Sequence, residues 1–189
     1  MIKLTQDTRP DDVGPEFEKP EVLGDVRAWS YSALKVYEEC AYRTYISRVK
    51  GVKEVESGYC NGTTLNPSYE SICTGQTGHA EVLRINFDED EVTFEALLEV
   101  FVETHDPTSL NQQGADRGTQ YRSAVFYTND SQKQAAASVI EKIKGAVTEI
   151  TELDVFYPAE NYHQNYFNNN SNQPYCQMVI LPKVTKYFK

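Results

Sequence analysis

Histidine, methionine and tryptophan are scarce in this chain of 189 residues, which holds three, two and one of them. The three histidines, His79, His105 and His163, are scattered, and the four cysteines, Cys40, Cys60, Cys73 and Cys176, have no C-x-x-C spacing. Those absences leave no zinc motif, so no metal or bound cofactor is expected. No apolar run approaches the ~18 residues that a membrane helix needs, and the start of the chain lacks a signal-peptide pattern. A soluble cytoplasmic protein with reduced thiols is expected. The Asn-x-Ser/Thr matches at Asn61, Asn129 and Asn169 then carry no glycan. Basic residues are also few, 18 against 28 acidic ones, for a net charge of −10. A polyanion is repelled by such a chain, which excludes a general nucleic-acid binder. The one basic stretch is residues 27–53, with six basic and two acidic side chains.

Aromatic residues are plentiful. Thirteen tyrosines and eight phenylalanines are ample for the core of one domain of this length. Residues 1–25 place Pro10, Pro15 and Pro20 among acidic side chains with little periodicity, and read as an extended or disordered arm. Residues 26–189 are then a single domain. Val26–Tyr31 suits a short strand. After Ser32, an N-cap, the positions Leu34, Tyr37, Ala41, Tyr45 and Val49 recur at helical spacing before Gly51, which predicts a helix over 32–50. Val52–Ser57 reads as a strand leading into a glycine-rich turn at Gly58–Gly62, and Val82–Phe87 alternates as a half-buried strand. Thr93 caps a helix with Phe94, Leu97, Leu98, Phe101 and Val102 on one stripe, ended by Pro107. Tyr121–Tyr127 is a strand candidate. Ser131 and Gln134 form a capping box for a helix carrying Ala136, Val139, Ile140, Ile143 and Val147. A short strand near Thr148–Phe156 and an extended run at Gln177–Leu181 follow. Without regular βαβ alternation, this order predicts an α+β protein, a two-layer sandwich around a mixed, mostly antiparallel sheet.

Two glycine-bracketed loops concentrate the chemistry. Asn66–Glu81, NPSYESICTGQTGHAE, holds Tyr69, Cys73, His79 and Glu81, with Gly75 and Gly78 free to fold the backbone tightly. A plainer reading makes Tyr69 core, His79 a satisfied loop residue and Glu81 a solvated charge. Asn111–Tyr121 likewise delivers an acid, Asp116, and a phenol, Tyr121, to the edge of a strand. If Tyr69 and Tyr121 share one pocket, both phenols can hydrogen-bond a single substrate oxygen, with Glu81 placed to protonate it. That suits reduction or hydrolysis of a polar X=O group.

The blocks SGYCNG, NPSYESICTGQTGHAEV, HDPTSLNQQGADRGTQYRS, FYPAENYHQNYF and NQPYCQ occur in that order from about Arg48 onward. Over these five blocks the chain resembles the peptide methionine sulfoxide reductase A family. The resemblance implies that family's α+β sandwich and reduction of the S epimer of methionine sulfoxide, free or in proteins. It also implies thioredoxin or a dithiol as reductant; the acidic charge and the lack of long apolar runs leave neither nucleic acid nor membrane as an expected partner. Carried over by position, Tyr69 and Tyr121 bind the sulfoxide oxygen, Glu81 donates the proton and Asp116 supports the site. A thiolate attacks the activated sulfur and becomes a sulfenic acid, which a second thiol reduces.

The family's Gly-Cys-Phe-Trp nucleophile motif is absent. Counting back without gaps puts Glu38 at the nucleophile, Glu39 at the Phe and Cys40 at the Trp position. A carboxylate cannot be oxidised to a sulfenic acid, so Glu38 is no electron source. Cys40 is the nearest thiol, although it sits mid-helix beside two glutamates that do not favour a thiolate. Trp29–Ile46 itself resembles the leading helix of PD-(D/E)XK nucleases of the RecB type over about twenty residues. That family's later carboxylates and lysine have no match here, so a chimaeric N-terminus is expected rather than a nuclease. The alternative function is a catalytically impaired sulfoxide- or protein-binding homologue; a hydrolase using Glu81 as acid and Glu38 as base is a third.

Overall fold

The computed structural model describes residues 26–30, 43, 46–114, 116–169, 171–172, 177–178 and 181. The acidic arm at 1–25, Cys40, Cys176 and most of the helix expected over 32–50 lie outside them. Eight strands are described: β1 Val26–Ser30, β2 Val52–Cys60, β3 Ala80–Phe87, β4 Gln112–Gln113, β5 Asp116–Arg117, β6 Ala124–Tyr127, β7 Glu149–Glu152 and β8 Phe156–Pro158. Six of them form one sheet in the order β7-β6-β1-β3-β2-β8, and β4 pairs with β5 in a separate ladder. Only β6 and β7 run parallel; the other pairings are antiparallel. The mixed, mostly antiparallel sheet is the one expected from the sequence.

β3 is held on both sides, by β1 and by β2. Every residue in it but Arg84 is buried, which overturns the half-buried alternation expected there. A central strand covered on both faces has no solvent side, so alternation loses its meaning. On one face Leu83, Ile85 and Phe87 join Val52, Val55 and the helix α2 (Phe94–Thr104) in the main core. On the other, Ala80 and Val82 meet Cys60, Ala124 and Phe126.

α2 begins as its sequence predicts, with the Thr93 hydroxyl accepting from the Ala96 N–H at 3.2 Å, and buries Phe94, Leu97, Leu98, Val100 and Phe101. The helix α3 (Asp130–Ile140) packs beside it. Its cap is Asn129 rather than Ser131. The Asn129 side chain accepts from the Gln132 N–H at 3.0 Å, with its own backbone extended as an N-cap requires. The chain then turns at Ile143, which donates back to Ile140, so Ile143 and Val147 fall outside the helix.

Other expected boundaries also move. β2 continues through Gly58, Tyr59 and Cys60, where a turn was expected. A Cβ at Gly58 would come within 2.3 Å of the Phe156 ring, so this glycine makes room for β8 instead of bending the chain. The turn starts at Asn61, in the left-handed region. Arg43 and Ile46 are helical, but turns follow from Ser47, so the helix stops before residue 50. Tyr121 lies in a 3-10 turn, Thr119–Tyr121, ahead of β6. The strand expected near 148–156 is two strands, β7 and β8. Gln177, Met178 and Leu181 are helical rather than extended. No helix among the described residues is long and apolar enough to cross a membrane.

Candidate active site

Part of Asn66–Glu81 folds as the helix α1 (Tyr69–Cys73), which the polar composition had read as loop. The Ser68 hydroxyl caps it, accepting from the Ser71 N–H at 3.3 Å. Gly75 and Gly78, both at positive φ, then bend the chain back into β3. His79 ties the loop down. Its Nδ1 accepts from the Gly62 N–H at 3.1 Å and its Nε2 lies 2.7 Å from the Thr64 carbonyl, a pattern that needs the proton on Nε2. His79 is thus the satisfied loop residue of the plainer reading, a brace and not a reactant.

Glu81 is the second residue of β3 and is wholly buried. The plainer reading of Glu81 as a solvated charge is therefore wrong. Its partner across the ladder is Tyr59, also wholly buried, so both side chains leave the same face of the sheet. Tyr69, the first residue of α1, packs against the cluster of Tyr59, Ile72 and Ala159. Tyr121 is buried at the end of its 3-10 turn.

The electrostatics tie these side chains into one group. Burial pushes the Tyr69 phenol above its ordinary range, assisted by a hydrogen bond with the Cys73 side chain and by the charges of Cys73, Glu81 and Tyr121. Burial also raises Tyr121, with Glu81 and Asp116 adding to the shift and a hydrogen bond from the Gln120 side chain opposing it. Tyr69, Glu81 and Tyr121 are therefore within charge range of one another, with Asp116 in range of Tyr121, and both phenols stay protonated as hydrogen-bond donors.

Cys40 lies outside the described residues. Of the two described cysteines, both free, Cys60 is buried on the opposite face with Ala80 and Val82. Burial drives its thiol far up, against a weaker pull from Arg122. Cys73 is exposed, one helical turn after Tyr69 and within charge range of both phenols. No group of three His, Cys, Asp or Glu side chains among the described residues converges as metal ligands would.

Three residues of the FYPAENYHQNYF block frame the site without having been singled out in the sequence. Glu160 accepts from the Tyr59 hydroxyl at 2.9 Å and from the Tyr69 N–H at 2.8 Å. The His163 ring packs on the Tyr69 ring, centroids 4.5 Å apart. The Gln164 side chain pairs with the Ser57 N–H and C=O at 3.0 and 2.9 Å, as a strand would. Arg43 donates to the same Gln164 oxygen at 2.9 Å, tying the divergent N-terminal segment to this edge. A charge, an imidazole and an amide inside an aromatic run were the only available signal.

Residues 40–189 match the family described as peptide methionine sulfoxide reductase. A "Peptide methionine sulfoxide reductase MsrA" from Ruthia magnifica subsp. Calyptogena magnifica is 61% identical over 142 residues, covering 75% of this chain and 87% of that protein. Among solved structures, Mxr1 from Saccharomyces cerevisiae in reduced form is similar with a TM-score of 0.74 and 29% identity, over 86% of this chain and 94% of that one. Mxr1 in complex with Trx2 is similar in fold, with a TM-score of 0.53 and 20% identity over 80% and 90% of the two chains. The chain belongs to the peptide methionine sulfoxide reductase family of oxidoreductases.

Proposed function

We propose that the protein is a thiol-dependent reductase of the S epimer of methionine sulfoxide, free or in proteins. One observation carries the reading: a wholly buried carboxylate, Glu81, shares its surroundings with two phenols held protonated by burial. Tyr69 and Tyr121 donate hydrogen bonds to the sulfoxide oxygen, and Glu81 gives it a proton. Asp116 supports the site through Tyr121. The sulfur then becomes electrophilic, and a thiolate displaces methionine while taking the oxygen as a cysteine sulfenic acid. Two further thiols, from thioredoxin or a small dithiol, return the sulfenic acid to the thiol with release of water and a disulfide. A yeast relative solved with Trx2 supports a thioredoxin-type reductant. The cytoplasm, where thiols stay reduced, suits this cycle.

The source of the first thiol is specific to this chain. Cys40 is the thiol nearest in sequence to the vacated position, and Cys73 is the described thiol beside the phenols. The second reading, a sulfoxide-binding homologue that does not turn over, draws on the same gap: counted back without gaps, Glu38 falls where the family's nucleophile is expected. Incubation with racemic methyl p-tolyl sulfoxide and dithiothreitol, followed by chiral chromatography, separates the two. Loss of the S enantiomer supports the reductase. Sulfoxide binding without reduction in any thiol system supports the binder, and neither binding nor reduction removes both.

A further inference from the structure

Glu160 occupies an unusual place relative to the proposed site. α1 is five residues long, and its capping serine is committed to the N–H of Ser71. The first N–H of the helix, that of Tyr69, goes instead to a carboxylate distant in sequence, Glu160, at 2.8 Å. The other oxygen of the same carboxylate takes the Tyr59 hydroxyl at 2.9 Å. Tyr59 is the ladder partner of Glu81. One rigid carboxylate therefore bridges the helix that carries the phenol and the strand beside the one that carries the acid.

The bridge is reinforced on its far side. The Glu160 carbonyl accepts from the His163 N–H at 2.9 Å, which closes a 3-10 turn, and that turn lays the His163 ring against Tyr69. Glu160 thereby touches Tyr69 twice, through the backbone N–H directly and through the ring by way of His163. Burial opposes the charge on Glu160, but the hydrogen bonds from Tyr69, its own N–H and Tyr59 outweigh it and hold the carboxyl below its usual range. A charged acceptor makes stronger bonds than a neutral one.

We infer that Glu160 is a positioning residue, whose carboxylate fixes the Tyr69 phenol relative to Glu81 by joining Tyr59 to the start of α1. This rests on the reading of Tyr69 as an oxygen-binding phenol. The conservative variant is informative: in Glu160→Gln the amide oxygen can keep the Tyr69 N–H and the amide nitrogen can donate to Tyr59, whereas Glu160→Ala removes both bonds.

The test uses the full chain with 3-fluorotyrosine at position 69 and a titration with methionine S-sulfoxide. Glu160→Ala is expected to shift or broaden the fluorine resonance and to weaken sulfoxide binding about tenfold. Glu160→Gln is expected to restore most of both. The double variant Glu160→Ala/Tyr69→Phe should bind no more weakly than Tyr69→Phe alone, since both act through one phenol. An unchanged fluorine resonance in Glu160→Ala, or additive losses in the double variant, would overturn the inference. If Tyr69→Phe does not alter sulfoxide binding, the oxygen-binding reading fails; the resonance in Glu160→Ala and Glu160→Gln then decides the positioning role by itself.

Discussion

Tyr59 and Glu81 face each other across the β2–β3 ladder, both with no exposed surface, and the Tyr59 hydroxyl is spent on Glu160. The acid is thus walled by an aromatic ring whose polar end points to another partner. The proposed reaction asks this carboxyl to hand a proton to the sulfoxide oxygen. Glu81→Gln keeps the shape and removes the transferable proton. Reduction of methyl p-tolyl sulfoxide should fall by roughly 10²-fold or more, while the thermal transition stays cooperative. Retention of wild-type turnover in Glu81→Gln would remove the acid from the mechanism.

The raised phenols of Tyr69 and Tyr121 give a second expectation. An ordinary tyrosine ionises near pH ~10 and ceases to donate. With both folded values higher, sulfoxide binding should stay flat through that point. The sign for stability is the reverse of a carboxylate's: the unfolded chain releases these protons first, so the contribution is fully present below pH ~10 and is lost as pH rises toward the folded values. Binding titrations between pH 8 and 11 check this, and a drop centred near 10 would contradict it.

His105 supplies a pH dependence on the acid side. Its Nδ1 lies 2.5 Å from the Phe101 carbonyl and its Nε2 lies 2.7 Å from the Ser123 hydroxyl. Burial pulls its pKa down to about 4, against upward pulls from the Phe101 carbonyl and Asp106. The unfolded chain takes up the proton near pH ~6.5 and the folded one near 4, so the contribution is present above 6.5 and is lost as pH falls through 4. At most roughly 3 kcal/mol is at stake. Urea unfolding at pH 7.5 and 4.5 should show the loss, and His105→Gln should flatten part of it.

Two glycines are fixed by close approach. A Cβ at Gly62 would come 2.3 Å from the His79 backbone nitrogen, and one at Gly58 would come 2.3 Å from the Phe156 ring and 2.5 Å from the Tyr157 carbonyl. Neither neighbour can move cheaply, since one is backbone and the other lies in a paired strand. Each Gly→Ala should cost about 1–3 kcal/mol, read as a lower melting temperature. Gly62→Ala should also disturb the loop that leads to Glu81, and so reduce sulfoxide binding; Gly58→Ala strains the pairing of β2 with β8.

Legibility in the sequence followed physical range. The α2 helix was readable because its cap, stripe and stop are all local, from Thr93 to Pro107. Tyr69, Glu81, Asp116 and Tyr121 were singled out because they sit in motifs that a family resemblance carries whole. α1 was not, because a helix of five residues has no periodicity to read and depends on Glu160, distant in sequence, for its first bond. The burial of Glu81 followed from the resemblance and not from its local pattern, since a charge in β3 reads as solvent-facing until both flanking strands are known. Gly58 shows the same limit: composition suggested a turn, and only the Phe156 ring packed over it explains the glycine.

The missing nucleophile gives the sharpest test. Cys60 is excluded as attacking thiol by position and by charge: it lies on the face away from Glu81, and burial keeps it protonated. Cys73 stands one helical turn from Tyr69, exposed and within charge range of both phenols. Dithiothreitol-dependent reduction should therefore survive Cys60→Ser and fall to background in Cys73→Ser. Survival in Cys73→Ser with loss in Cys40→Ser would move the attack to Cys40, which aligns with the Trp position of the family motif. Trapping the sulfenic acid with dimedone after one turnover, then locating the adduct by mass spectrometry, assigns the thiol directly. If no adduct forms on any cysteine and wild-type protein still binds the sulfoxide, Glu38 has replaced the nucleophile with no substitute, and the chain is a binder built on a reductase frame.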